Sequence, residues 1–84
     1  MKYPTVHLGG TSKNMLLDGY EDCCSAIRVA ITILSDQAPH GRDYTQQNDF
    51  IWAQEEHTYR ISRLHTILDE LNRLCHDISN QQEN

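Results

Sequence analysis

The sequence predicts an all-α chain: a hairpin of two long antiparallel helices with a short extended N-terminal arm, its core completed by oligomerisation. Three observations predict it. Apolar residues recur at alternating steps of three and four along two long stretches, with Pro39 and Gly41 between them. The connection is short and polar, which makes an antiparallel pair the simplest arrangement. At 84 residues, with three cysteines of which two are adjacent, the chain has neither the bulk nor the disulfides to finish a core alone.

Residues 1–10 (MKYPTVHLGG) form the arm, in which Tyr3, Val6 and Leu8 lie along a surface or pair as a short strand. Residues 11–79 form the hairpin domain. Its first helix, over 12–37, starts from Thr11 or Ser12, both good N-caps, and ends ahead of Pro39 and Gly41. The seam reads Leu17, Tyr20, Cys24, Ile27, Ile31, Leu34 and Ala38, widened on one flank by Leu16, Cys23 and Ala30. Gly19 costs about 1 kcal/mol against alanine, or marks a close approach of another backbone. Residues 38–48 form the loop. The second helix, over 49–79, opens near Asn48 or Asp49 and carries Phe50, Ala53, His57, Ile61, Leu64, Leu68, Leu71, Cys75 and Ile78. Glu56 with Arg60, and Asp69 with Arg73, are acid-before-base pairs that suit a solvated helix face. Residues 80–84 read as a disordered tail.

Val29 and Ile33 fall outside the first seam, and Trp52 and Tyr59 outside the second. Both helices are therefore apolar over more than one face, and these four residues are the expected homo-oligomer interface.

A formal charge of −5 opposes binding to a duplex phosphate backbone, so DNA is excluded as a first partner. No signal segment and no apolar run of about 20 residues is present, so neither secretion nor membrane insertion is expected. The odd cysteine count adds to a reduced, cytoplasmic expectation.

Two segments carry candidate chemistry. Gly9-Gly10-Thr11-Ser12-Lys13 leads flexible chain into a helix start, where free amides, hydroxyls and a lysine suit phosphate. An ordinary capped helix explains the same residues, and the glycine spacing is not that of a P-loop. His40-Gly41-Arg42-Asp43-Tyr44 gathers an imidazole, a guanidinium, a carboxylate and a phenol in one loop. Arg42 suits phosphate, Tyr44 suits stacking on a base, and His40 suits hydrogen bonding. Alternatively Asp43 pairs with Arg42 and Tyr44 packs over the hairpin end.

Metal and cofactor sites are not expected: no CxxC, HxxxH or HExxH spacing occurs, and contiguous Cys23-Cys24 and Cys75-His76 point apart on a helix. Catalysis is not expected either, because Cys24 and Cys75 fall on apolar seams and the carboxylates are scattered. His57 on the apolar stripe is the odd residue, most simply a core or interface histidine.

Taken in order, Tyr3-Pro4-Thr5-Val6-His7-Leu8, the Gly10-Thr11-Ser12 helix start, the Ala38–Tyr44 loop and the Glu56-His57 pair before leucine-rich heptads resemble a group of small, uncharacterised tailed-phage proteins. The likeness covers nearly the whole chain. It departs from the group's pattern at Gly9, where asparagine is usual, and at Thr45, where a second aromatic is usual. The resemblance implies a viral or prophage origin, with the cytoplasm of an infected bacterium as location. By analogy of size and class it points to inhibition of host defence.

The expected function is thus a non-enzymatic, oligomeric phage binding protein that sequesters a phosphate-bearing nucleotide signal, of cyclic or ADP-ribose type. In a head-to-tail or antiparallel assembly the arm and first helix start of one subunit would meet the 40–44 loop of another, so that Arg42, Lys13 and the amides near Thr11 and Ser12 hold phosphate. Tyr44 or Tyr3 would stack on a base, His7 or His40 would read its edge, and Asp43 would complete the loop. One alternative is an inhibitor or adaptor acting on a host defence protein through Glu55, Glu56, Asp69, Glu70, Trp52 and Tyr59. Another is a structural or assembly component of the particle.

Overall fold

Lys13–Asp36 forms the first helix, α1, and Gln47–Asn80 the second, α2, joined through a 3₁₀ turn at Gly41–Asp43 in a computed structural model that describes residues 1–82. Among the described residues there is no strand, and the fold is all-helical. Contacts between Cys24 and Asn72, and between Lys13 and Gln81, set the two helices antiparallel. The result is a rod, 61 × 20 × 17 Å.

The first helix begins where its sequence dictates. Ser12 has extended backbone and its Oγ accepts from the Met15 amide at 3.2 Å, satisfying one of the free donors of the first turn. Gln37 closes the other end, its amide donating to the Leu34 carbonyl at 3.0 Å. Ala38, read as the last seam residue, lies beyond this cap and is exposed. The second helix begins two residues earlier than expected. Gln46 is its N-cap, with extended backbone and no side-chain cap bond, so neither Asn48 nor Asp49 serves as the cap. Asp49 still sits in the first turn, where a carboxylate favours the positive end of the helix dipole.

The far end of α2 departs most from expectation. The predicted tail began at residue 80, yet Asn80 ends the helix and Gln81 is its half-buried cap. Residues 83 and 84 lie outside the described residues. Gln81 holds the open end of the hairpin together. Its Oε1 accepts from the Val6 amide at 2.7 Å, and its Nε2 donates to the Pro4 carbonyl at 2.8 Å and to Asp77 Oδ2 at 3.0 Å. Its backbone carbonyl accepts from Lys13 Nζ at 2.8 Å. The glutamine amide thus pairs with the arm as an adjacent strand would, using one acceptor and one donor. This anchors the arm on a helix surface, where Val6 is buried.

The core is thin. Among the described residues Val6, Cys24, Leu68, Ile78 and His57 are buried, and Ile78 alone is fully enclosed. The remaining seam positions of both helices, such as Leu17, Ile27, Ile31, Ile61 and Leu64, are half-buried. Two helices cover only one stripe of each other, as their apolar patterns imply. On the seam of α2, burial pushes the Cys75 thiol above its ordinary value of 9.0, with the neighbouring Cys24 thiol and Glu21 carboxylate acting in the same direction.

Candidate functional site

The closed end of the hairpin is built differently from the clasped end. The loop turns on three local bonds: His40 Nδ1 accepts from the Arg42 amide at 3.3 Å, the Asp43 amide donates to the His40 carbonyl at 3.0 Å, and the Tyr44 amide donates to the Gly41 carbonyl at 3.2 Å. His40 therefore caps the turn. The Tyr44 ring lies 6.0 Å from Phe50, tilted by 38°, so the loop is pinned to the first turns of α2.

Between this loop and the flanks of both helices lies a cleft of about 960 Å³. Leu34 and Asp36 of α1, with its cap Gln37, form one wall. Asp49, Trp52, Glu56 and Arg60, at steps of three and four along one side of α2, form the other with Ala53 and His57 beside them. His40, Arg42, Asp43 and Tyr44 form the end.

Three properties define its chemistry. First, Arg42 has no carboxylate within ion-pair distance among the described residues, whereas Arg60 is bound to Glu56 at 3.4 Å. Second, Asp36, Asp43 and Asp49 place carboxylate acceptors in the walls of the same cleft. Third, His57 is only 8 % exposed and its Nε2 is buried without a hydrogen-bond partner. A buried polar atom left unpaired costs about 1–3 kcal/mol, so this imidazole is an outlier against ordinary cores.

The predicted ligand residues divide between the two ends. His40, Arg42, Asp43 and Tyr44 share the cleft. Tyr3, His7, Thr11, Ser12 and Lys13 belong to the opposite end of a rod 61 Å long, so within one chain the nine residues do not form one site. The reason is topological: an antiparallel hairpin sets the start of α1 beside the end of α2. There, Ser12 and Lys13 are already engaged, by the Met15 amide and the Gln81 carbonyl. His7 closes a turn through its carbonyl with the Gly10 amide at 3.1 Å, and Thr11 is exposed. Tyr3 borders a separate shallow depression with Asn72, Arg73 and His76.

Of the four expected interface residues, all are more than half exposed. Trp52 also lines the cleft. Tyr59 carries the Arg63 guanidinium over its ring at 4.8 Å, on the outward side of α2. Asp36, Asp49 and Arg60 are cleft residues that the sequence did not single out, while Glu56 and His57 stand out there for other reasons, as part of an acidic face and as a core or interface histidine. The usable signal was the run 49, 52, 53, 56, 57, 60, which continues the loop's polar character along one helix side. No group of three metal-ligating side chains occurs among the described residues. No described helix is long and apolar enough to cross a membrane. No family model, curated protein or solved structure matches the chain.

Proposed function

We propose that this protein is a non-enzymatic, oligomeric binding protein whose ligand site is the cleft at the closed end of the hairpin. The proposed ligand is a phosphate-bearing nucleotide. The observation that carries the reading is His57, whose Nε2 is buried and unpartnered, in the wall of a cleft that also holds an unpaired guanidinium. A ligand that draws this imidazole into a hydrogen bond relieves a cost that the free protein bears.

The mixture of charges narrows the ligand. A simple anion would meet Arg42 but also Asp36, Asp43 and Asp49. A nucleotide satisfies both, with phosphate on Arg42 and its ribose diol or base N–H groups on the carboxylates. Trp52 and Tyr44 offer aromatic surface for a base, and the volume lies within the ~300–1,000 Å³ usual for small-molecule sites. His40 acts here through its turn rather than as a reader of the base. Lys13, Ser12, Thr11, His7 and Tyr3 take no part within the same chain. The resemblance to small tailed-phage proteins makes sequestration of a host defence signal, in the infected cell's cytoplasm, the biological setting of this proposal.

The test is calorimetry or native mass spectrometry with a panel of cyclic and ADP-ribose-type nucleotides, beside inorganic phosphate alone. One nucleotide class is expected to bind, and Arg42→Ala to weaken it about tenfold or more with helicity unchanged. Absence of binding by every member of the panel, or an Arg42→Ala protein with unaltered affinity, overturns the site.

A second reading has its own observation. Ile51, Glu55 and Tyr59 border a shallow depression on the outward side of α2, with Tyr59 58 % exposed. A host protein docking there would be lost on Tyr59→Ala while Arg42→Ala would leave it intact.

A further inference from the structure

We infer that α1 is the dimerisation helix, and that a second copy of the chain packs antiparallel on its outward face. Met15, Gly19, Cys23, Ala26, Ala30 and Ile33 are all exposed, at steps of four and three. At 3.6 residues per turn they fall within an arc of roughly 80°. That arc carries no charge. The charged residues of α1 that point outward, Asp18, Glu21, Asp22, Arg28 and Asp36, lie on the rest of its circumference, with Asp22 at the border.

The rod as a whole has surface to spare for a partner. A folded monomer of 9.7 kDa is expected to expose about 5,100 Å², whereas this chain exposes 6360 Å². The excess over the whole rod, on the order of 1,200 Å², leaves room for the ~800 Å² that each partner contributes to an interface of standard size. The radius of gyration agrees: 18.4 Å, against about 12 Å for a compact domain of this length.

The pattern along the arc argues for a copy of itself rather than a foreign chain. Large side chains stand at both ends, Met15 and Ile33, and small ones between them. Crossing near Cys23 and Ala26, two antiparallel α1 helices bring small residue against small residue at the centre. Met15 of each then meets Ile33 of its partner at the ends. That is the self-complementary contact a two-fold axis requires. Gly19 fits the same account, since a Cβ built there meets nothing within 4 Å inside its own chain. Its exchange for a larger residue is resisted, if at all, only from outside. An uncharged face also offers nothing for a charged partner to recognise.

Sedimentation equilibrium tests this directly, comparing the full chain with Ala30→Glu and with Asp18→Lys as the off-face control. Both sites are exposed, and circular dichroism checks that helicity is kept. The native protein and Asp18→Lys are expected to be dimers, while Ala30→Glu dissociates at about tenfold or more higher concentration. In parallel, maleimide labelling of Cys23 should slow as the native protein is concentrated and stay fast in Ala30→Glu. A native protein that sediments as a monomer, or an Ala30→Glu protein that dimerises as tightly as the native one, overturns the inference. Nucleotide binding is scored separately, so loss of the dimer and loss of the cleft ligand are distinct results.

Discussion

The two ends of this hairpin spend their polar groups in opposite ways. At the open end Gln81 and Lys13 are answered inside the chain: Gln81 binds the arm twice, Asp77 once and Lys13 through its carbonyl, over a fully enclosed Ile78. At the closed end Arg42 is unpaired, three aspartates face solvent, and His57 is buried with a nitrogen unanswered. The contrast separates stability from function. One end is satisfied and holds the rod together. The other keeps unmet hydrogen-bonding capacity, which a ligand can use.

The comparison can be broken by mutation, and the largest effect is expected at the open end. Ile78→Ala should cost about 2–5 kcal/mol in urea unfolding, because the cavity it leaves has no room to collapse around. A loss no greater than that of an exposed substitution would show that the open end is not where stability resides. Next in size, Gln81→Ala removes the arm's two bonds and should cost about 1–2 kcal/mol. Hydrogen exchange at the Val6 amide should rise sharply in that variant, with nucleotide affinity unchanged. If the affinity falls too, the two ends are coupled and the division fails.

The sharpest test has the opposite sign. His57→Leu, close in volume on an apolar stripe, should raise stability by about 1 kcal/mol by removing an unpaired buried nitrogen. The same change should abolish ligand binding. A His57→Leu protein less stable than the native one would mean that the imidazole is already satisfied, and the main support for the site would go.

The smallest effect concerns pH. The Cys75 thiol is raised in the fold by burial, by Cys24 and by Glu21, so the native state holds this proton more tightly than the unfolded chain. Its contribution to stability is complete below pH 9.0 and declines as pH rises through and above that value. Thermal melts should show this alkaline decline, and Cys75→Ala should flatten it relative to its own neutral-pH stability.

Much of the hairpin was legible because it rests on local rules. Ser12 caps α1, Pro39 and Gly41 interrupt the pattern, and the three-four spacing marks both seams. The loop residues His40, Arg42, Asp43 and Tyr44 were legible as a group because they are contiguous. Gln81 was not. A polar run of Asn and Gln has the composition of a frayed end, and nothing nearby in sequence says that residues 4 and 6 will supply its partners. The other wall of the cleft was hidden for the same reason, since Asp36 and His57 line one cleft only once the chain has doubled back.

The sequence by itself determined the helices, their approximate ends, their apolar faces and the chain's acidic balance. All of these follow from periodicity and capping within a few turns. Tertiary structure alone decided which groups are answered and which are left open. It gave Lys13 to the end of α2 rather than to a phosphate, gave Gln81 to the arm, and left the His57 nitrogen buried without a partner. Hydrogen bonds between residues some 70 positions apart depend on how the two helices align, and that register is set by the packing of both seams together.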